Sequence, residues 1–341
     1  MQNSEGDRSK GDAAVDSAVI TSVPDAINRF LTLRNQLCQP QEEFAEVWCR
    51  GQRDPDWALI PGIFRTEAKP NCGPANGDGP FDEASMFHDF RVLAPSNHQD
   101  HRTLFDWLCL MQHYNVPTRL LDWTENLLFA LYFAVEASGS GQGRVFLLAP
   151  RRLNQITTAA TRGSGRIFVP DSFHVATRAA LCRARDYPGW VRELPALEYF
   201  RSSVGAGSRK SLAKLKDPKN EPHLRDLCAP VAVRPNRFNP RLLAQSGTFT
   251  LHGGKVYGSR EQPVRIPDGD GLPAPIHLEK LKDHGSQPFL KTFLVEKDPV
   301  REELRHLGIH HATLFPDLDG QAAFLKQRWK YGSAAGDDGT R

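Results

Sequence analysis

Arginine, histidine and carboxylate side chains gather in two short stretches of the chain. The first stretch, WCRGQ at 48–52, places Arg50 directly before Gly51 and Gln52. A guanidinium is a planar, permanently charged donor that suits phosphate or carboxylate, and a glycine lets a ligand come close to the backbone. The stretch therefore predicts a phosphate grip centred on Arg50. The structural alternative is an internal ion pair between Arg50 and Asp122.

The second stretch, QHYNVPTRLLDWTENLLFALYFAVE at 112–136, sets polar side chains directly before a long apolar run. His113 is predicted as a general base, because imidazole titrates near neutral pH. A hydrogen-bonded structural histidine is the alternative. Thr118 and Arg119 precede the apolar run, where the N-terminus of a helix would favour an anion. They are predicted as further phosphate contacts.

Asp122 and Trp123 complete this group of polar and aromatic side chains. Asp122 is a catalytic candidate beside Arg50, although capping of the following helix is the stronger expectation for Asp122 alone. Trp123 could stack on a base or a nicotinamide ring, and such a residue is more often part of the core. The sequence leaves both pairs of alternatives open.

Regular elements must position these residues. The apolar run predicts a buried helix over about 123–137, because apolar residues occur on nearly every side of it. Asp122 or Thr124 is its expected N-cap. Further elements predicted from hydrophobic periodicity and from glycine and proline punctuation are helices at 24–37, 83–94 and 103–114 and strands at 43–52 and 144–150. After residue 288, the order strand, helix, strand, helix is predicted, with HATLFPD at 311–317 as the second strand.

The two stretches resemble the FRG domain, a bacterial family named for an aromatic residue, an arginine and a glycine. PTRLLDWT followed by an apolar helix is the more specific match, and Cys49 departs from the family pattern by separating Trp48 from Arg50. The segments 239–252 and 308–320 also resemble longer members, so the similarity extends over about 40–330. This resemblance adds Gln245 to the predicted cleft.

We expect an α+β fold with a mixed β-sheet, packed helices and an FRG domain core. The FRG region is predicted at 40–150 and a C-terminal lobe at 151–331, within one FRG-domain protein over 21–331. The segments 1–20 and 332–341 are predicted as disordered tails, because their Gly-, Ser-, Ala- and Asp-rich composition cannot bury enough apolar surface.

Composition narrows the classes of function. A formal charge of +3 on 341 residues does not support nucleic-acid binding across the whole surface. The six cysteines include no CxxC pair, so no zinc ribbon or disulfide framework is predicted. His98, His101, His310 and His311 are predicted as surface histidines, and no metal site is expected. A polar N-terminus and the lack of a long apolar run predict a cytoplasmic protein with no membrane partner.

The predicted function is a ligand- or nucleotide-binding effector in a toxin or phage-defence setting, with NAD as the candidate cofactor. Arg50 at a strand end resembles the NAD-binding arginine on the first core strand of ADP-ribosyltransferases. That resemblance implies a glutamate that stabilises the developing oxocarbenium ion. Glu136, Glu198 and Glu296 are the candidates, without the usual Glu-x-Glu setting. Whether the protein is an enzyme, a non-enzymatic nucleic-acid or nucleotide-binding module, or a structural interaction domain stays open.

The nucleic-acid alternative depends on the basic segment 201–219, which carries six basic residues against one acidic, a local charge of +5. If this segment binds phosphates, affinity for a DNA or RNA fragment should fall by roughly one power of salt concentration per neutralised phosphate. Neutralising Lys210, Lys214 and Lys216 together should then flatten that salt dependence. A slope that the triple substitution leaves unchanged would remove this segment from nucleic-acid binding.

Overall fold

The computed structural model describes ten parts of the chain. These are residues 18–38, 45–65, 81–94, 103–136, 140–159, 165–183, 228–236, 240–254, 276–281 and 288–329. Most of both predicted tails, the histidines at 98 and 101, Glu198 and the basic segment lie outside them.

Six strands form one sheet, in the order β4-β5-β2-β1-β3-β6. The strands are β1 (Trp48–Gln52), β2 (Leu120–Thr124), β3 (Gln142–Leu148), β4 (Val231–Val233), β5 (Gly247–Leu251) and β6 (Leu290–Glu296). Every neighbouring pair is antiparallel. Two isolated parallel bridges, Ile20 to Val295 and Phe168 to Val233, add to the sheet near its two edges.

Ten α-helices accompany the sheet in the described part of the chain. They are α1 (Val23–Leu37), α2 (Glu83–Leu93), α3 (Leu104–His113), α4 (Leu127–Val135), α5 (Pro150–Thr157), α6 (Phe173–Ala180), α7 (Pro240–Ala244), α8 (Lys297–His306), α9 (His311–Leu314) and α10 (Leu318–Arg328). The predicted α+β class is thus confirmed, with one sheet and separate helices. None of these helices has the length and apolar character that a membrane span requires.

One face of the sheet is covered by helices in two groups. Helices α1, α4 and α8 pack over β1, β3 and β6, where they bury Ala130, Leu131 and Val145 among others. Helices α2, α3 and α6 pack over β2, β4 and β5, around Phe105 and Phe249. The boundary between the two helical groups therefore runs over the neighbouring strands β1 and β2.

The opposite face of the sheet carries a smaller core. Trp48 on β1, Trp123 on β2 and Phe146 on β3 pack there against Leu153 of α5 and Leu278 of a short 3-10 helix. Alternation along each strand sends every second side chain to this face. Arg50 and Gln52 follow Trp48 at two-residue intervals, so their side chains start from the same face.

The predicted start of the central helix is wrong. Residues 120–124 form strand β2, because LLDWT pairs along its whole length with β5. Helix α4 begins only at Leu127, and its N-cap is Asn126, whose side-chain oxygen accepts from the Leu128 backbone amide at 2.9 Å. Neither Asp122 nor Thr124 therefore caps this helix.

The predicted strand at 311–317 is also wrong, since His311–Leu314 is the short helix α9. The Phe315 backbone amide donates to the His311 carbonyl, four residues earlier, as in a turn of α-helix. The elements on either side agree with the prediction. A strand at β6, a helix at α8 and a helix at α10 are all confirmed.

Helix α4 is predicted to be central to stability, and its burial makes the test specific. Leu131 is fully buried, so Leu131→Ala should cost about 2–5 kcal/mol of unfolding free energy. Leu128 is only partly buried against the same core, so Leu128→Ala should cost less. The exposed Leu307 supplies the control, Leu307→Ala. Urea midpoints that are equal for Leu131→Ala and Leu307→Ala would show that α4 is not central.

A candidate anion-binding site at the gap between β1 and β2

Strands β1 and β2 pair at one position, Cys49 opposite Thr124, whereas β1 and β3 pair at five. Beyond that position, β1 and β2 are joined by an arginine side chain instead of by further backbone pairing. Arg50 Nη1 donates to the backbone carbonyl of Asp122 at 2.7 Å. We call this place, where the Arg50 side chain meets Asp122, the β1–β2 gap.

Asp122 presents a carboxylate at the surface of the gap. Its side chain is 55% exposed, and Oδ2 lies 3.7 Å from Arg50 Nη1. Gln112 of α3 donates from Nε2 to the same Oδ2 at 2.9 Å, and Thr118 donates to Gln112 Oε1 at 2.6 Å. The chain of contacts orients Asp122 without burying it. Thr118 therefore acts on the gap through Gln112.

Three arginines interact electrostatically with Asp122. Burial lowers the pKa of Arg50 to about 10, with Arg65 adding to this effect and Asp122 opposing it. Burial likewise lowers the pKa of Arg65 and of Arg241, and Asp122 opposes both shifts. Each guanidinium is thus less hydrated than it would be on an open surface, which strengthens its attraction for an anion.

Arg119 occupies a different place from the one its sequence suggests. It is fully buried, and its Nε and Nη2 donate to the two carboxylate oxygens of Glu83 on α2, at 2.8 and 2.5 Å. Its Nη1 donates to the backbone carbonyl of His252 at 2.9 Å. All three nitrogens of the guanidinium are therefore bonded within the protein interior, and Arg119 lies outside the exposed surface of the gap.

Trp123 and His113 each have a described contact of their own. Trp123 is buried and its Nε1 donates to Thr250 Oγ1 at 3.1 Å, which fixes the indole in the core. His113 is partly buried at the end of α3, and its ring meets Tyr114 edge to face with centroids 4.9 Å apart. The structure brings Arg50 and Asp122 together.

Gly51 and Gln245 position other elements. A side chain at Gly51 would overlap the Ala130 carbonyl oxygen and the Ala134 amide nitrogen, so glycine allows α4 to lie directly on β1. Gln245 donates from Nε2 to the Leu314 carbonyl at 3.2 Å, and its own carbonyl accepts from Thr124 Oγ1 at 2.7 Å. Gln245 therefore links β2 to helix α9.

A second polar cluster lies beside Arg241. The Tyr132 hydroxyl and His311 Nδ1 are 3.3 Å apart, and His311 Nδ1 lies 3.7 Å from Glu136 Oε1. The His311 ring stacks on Phe315 with centroids 4.3 Å apart, and the Arg241 guanidinium lies over the same Phe315 ring at 4.3 Å.

Glu136 also acts electrostatically on Arg241, which connects this cluster to the arginines around Asp122. Two sequence signals pointed to parts of it: Glu136 was a candidate glutamate, and the segments 239–252 and 308–320 resemble longer family members. Of the glutamates proposed from sequence, Glu296 is instead bonded to Gln142, between the strands β3 and β6. The site as a whole combines three cations with two partly exposed carboxylates and so suits an anionic ligand that also carries a reactive polar group.

No three histidine, cysteine, aspartate or glutamate side chains gather as a metal site within the described ranges. The cysteines at 38, 49, 109, 182 and 228 are buried.

Comparison with known proteins found one match, to part of the chain. The family model of the FRG domain matches residues 45–142. No curated protein and no solved structure matches the chain. The matched residues include WCRGQ and the stretch 112–136, and so both Arg50 and Asp122. The chain is therefore an FRG domain-containing protein, whose domain supplies both sides of the β1–β2 gap.

Proposed function

We propose that this protein binds the phosphates of a nucleotide at the β1–β2 gap and consumes NAD there. The observation that carries the proposal is the Arg50 side chain, which is 16% exposed and joins two strands beside the exposed carboxylate of Asp122. Its Nε has no hydrogen-bond partner among the described residues. A buried donor of this kind is costly unless a ligand or water satisfies it.

The charges around the gap support a phosphate ligand. Arg50, Arg65 and Arg241 all interact electrostatically with Asp122, so three guanidinium groups lie close enough to one another to share an anionic ligand, while Glu136 and Asp317 also act on Arg241. Guanidinium groups bind phosphate with two parallel hydrogen bonds, which gives orientation as well as affinity. A dinucleotide such as NAD presents two linked phosphates and could engage more than one of these arginines.

The reaction proposed for NAD breaks the bond between the nicotinamide nitrogen and the ribose carbon. The bonding electrons leave with nicotinamide, and the ribose carbon gains a bond to a water oxygen or to another nucleophile, which loses a proton. Positive charge develops on the ribose in the transition state, and a nearby carboxylate stabilises it. Asp122 and Glu136 are the two partly exposed carboxylates that could serve. In a cell this activity would lower NAD, which fits a toxin or phage-defence effector.

The first test measures nicotinamide release from NAD by the purified full chain. Arg50→Lys keeps a positive charge but loses the planar fork, so release should fall by at least tenfold while the melting temperature changes little. Arg305, an exposed arginine on α8, supplies the matched control, and Arg305→Lys should release nicotinamide at the wild-type rate. Asp122→Asn and Glu136→Gln decide which carboxylate contributes.

Two results would overturn the proposal. Equal rates for Arg50→Lys and Arg305→Lys would show that Arg50 is not a phosphate contact. A protein that neither releases nicotinamide nor binds pyrophosphate or NAD would leave the gap without a nucleotide function. The nucleic-acid alternative depends on residues outside the described ranges and is tested by the salt dependence given above.

The ion-pair alternative for Arg50 has its own test in the stability of three variants. If the contact with Asp122 is chiefly structural, Arg50→Ala should cost roughly 3–5 kcal/mol, and Arg50→Ala combined with Asp122→Asn should recover part of it. Because Asp122 is half exposed, we expect a smaller loss and no recovery. Melting curves of Arg50→Ala, Asp122→Asn and the double variant distinguish the two outcomes.

A further inference from the structure

The sheet face opposite α4 contains buried polar atoms that have no hydrogen-bond partner among the described residues. Buried side-chain polar atoms in proteins are nearly always bonded to protein or to ordered water, so a concentration of exceptions requires a physical reason. The atoms on or beside this face are Trp48 Nε1, Arg50 Nε, Gln52 Oε1, Thr248 Oγ1, His252 Nδ1 and His277 Nδ1.

Three of these side chains lie at the same end of the sheet as the β1–β2 gap. Gln52 is the last residue of β1, is 2% exposed, and follows Arg50 on the same face. His252 directly follows β5, whose Leu251 pairs with Leu120 at the start of β2. Because β1 and β2 are antiparallel, the end of β1 and the start of β2 coincide.

The two histidines face each other across this region. The rings of His252 and His277 have centroids 6.5 Å apart, and the His277 ring meets Phe64 edge to face at 6.0 Å. His252 Nε2 lies 3.2 Å from Thr250 Oγ1, which leaves its Nδ1 as the open position. Gln52 uses Nε2 on the Ala58 carbonyl at 3.5 Å and so keeps Oε1 as its open position.

Both imidazoles are neutral at physiological pH. Burial holds the pKa of His252 well below its usual value, with His277, Arg119 and Arg50 adding to the effect. Burial also lowers the pKa of His277 to about 4. A neutral imidazole offers one donor and one acceptor, and Gln52 Oε1 is an acceptor. The nearby arginines make a cationic group unfavourable here.

We infer that Gln52, His252 and His277 form a pocket for the uncharged base of the nucleotide whose phosphates bind at Arg50. This inference rests on the proposed phosphate site, and it adds that the protein binds the base of the same nucleotide beside that site. A nucleobase carries donors and acceptors along one edge, which matches a set of open donor and acceptor atoms held on rigid side chains. A ribose phosphate without a base would leave those atoms unpaired.

The experiment compares three ligands that share a ribose 5-phosphate, by calorimetric titration of the full chain. Ribose 5-phosphate has no ring, AMP adds an uncharged base, and nicotinamide mononucleotide adds a cationic ring. AMP should bind at least roughly tenfold more tightly than ribose 5-phosphate, because the base pairs the buried polar atoms. The affinity of nicotinamide mononucleotide should exceed that of ribose 5-phosphate by a much smaller factor.

Two variants assign that gain to the pocket. Gln52→Met and His277→Phe keep the approximate size of each side chain and remove its open polar atom. Each should bring AMP close to the affinity of ribose 5-phosphate and leave pyrophosphate binding unchanged. Gln36→Met, at an exposed position on α1 and so on the other side of the sheet, is the matched control and should bind AMP as the wild type does. Melting curves establish whether each variant is folded. One folded variant is enough to test whether the pocket causes the gain in AMP affinity.

The outcomes separate this inference from the proposal beneath it. If pyrophosphate binds but AMP and ribose 5-phosphate bind equally, the phosphate site stands and ordered water alone satisfies the pocket, which overturns the inference. If nicotinamide mononucleotide gains as much as AMP, the selection of an uncharged base is overturned. If none of the phosphates binds, the proposed function itself fails.

Discussion

Arg119→Ala is expected to destabilise the protein by about 3–5 kcal/mol, because the substitution leaves the Glu83 carboxylate buried without its cation. Arg119 and Glu83 are 1% and 4% exposed, so water cannot replace the lost contacts. The His252 carbonyl loses a donor in the same change. The measurement is the urea midpoint, together with the slope of unfolding free energy on urea concentration.

A double variant separates the buried charge from the lost packing. Arg119→Met combined with Glu83→Met removes both charges and keeps side chains of useful length. It should recover much of the stability that Arg119→Ala loses, since buried ion pairs can often be replaced by apolar residues. Glu83→Met alone should be as damaging as Arg119→Ala. A double variant no more stable than the single ones would show that the backbone contacts of Arg119 dominate.

Gly51→Ala is expected to cost at least about 3 kcal/mol, because its new methyl group overlaps backbone atoms of α4 rather than a movable side chain. Relief requires the helix to move off β1, where much of the larger core is buried. A fall of this size would lower the urea midpoint and expose apolar surface to a fluorescent probe.

Gly62→Ala is the matched control for that substitution. A Cβ at Gly62 would lie 3.6 Å from Pro117 Cα, which is an ordinary contact. It should leave stability within about 1 kcal/mol of the wild type. If Gly51→Ala and Gly62→Ala have the same urea midpoint, α4 tolerates a displacement from β1. The close contact between this helix and the strand would then not limit the stability of the fold.

Sequence predicted the elements whose signals are local. Helix α1 begins after Ser22, whose side chain accepts from the Asp25 amide, and it carries a proline in its first turn. Such capping signals act over three or four residues and can be recognised without the fold. The FRG resemblance and the placement of Arg50 on a strand were likewise available from short motifs.

The remaining features depend on partners that are distant in sequence. The strand character of 120–124 comes from pairing with β5, more than 100 residues later, so an apolar run appeared to begin a helix instead. The sequence alone predicts the same role, a contact with a phosphate, for Arg50 and Arg119. They differ because Glu83 lies 36 residues before Arg119 and meets it in the interior. Arg65 interacts with Asp122 through the tertiary structure alone, with no signal in the sequence around it.

The single residue pair between β1 and β2 lies at the centre of the sheet, so it divides six strands into two three-stranded halves. Amide hydrogens in the long ladder between β3 and β6 should exchange slowly with deuterium, while those facing the β1–β2 gap should exchange faster. A ligand that bridges the Arg50 side and the Asp122 side would fasten the two halves together. Slower exchange at Arg50 and Asp122 in the presence of the ligand, with no change at Phe293, would then show that the ligand binds between β1 and β2.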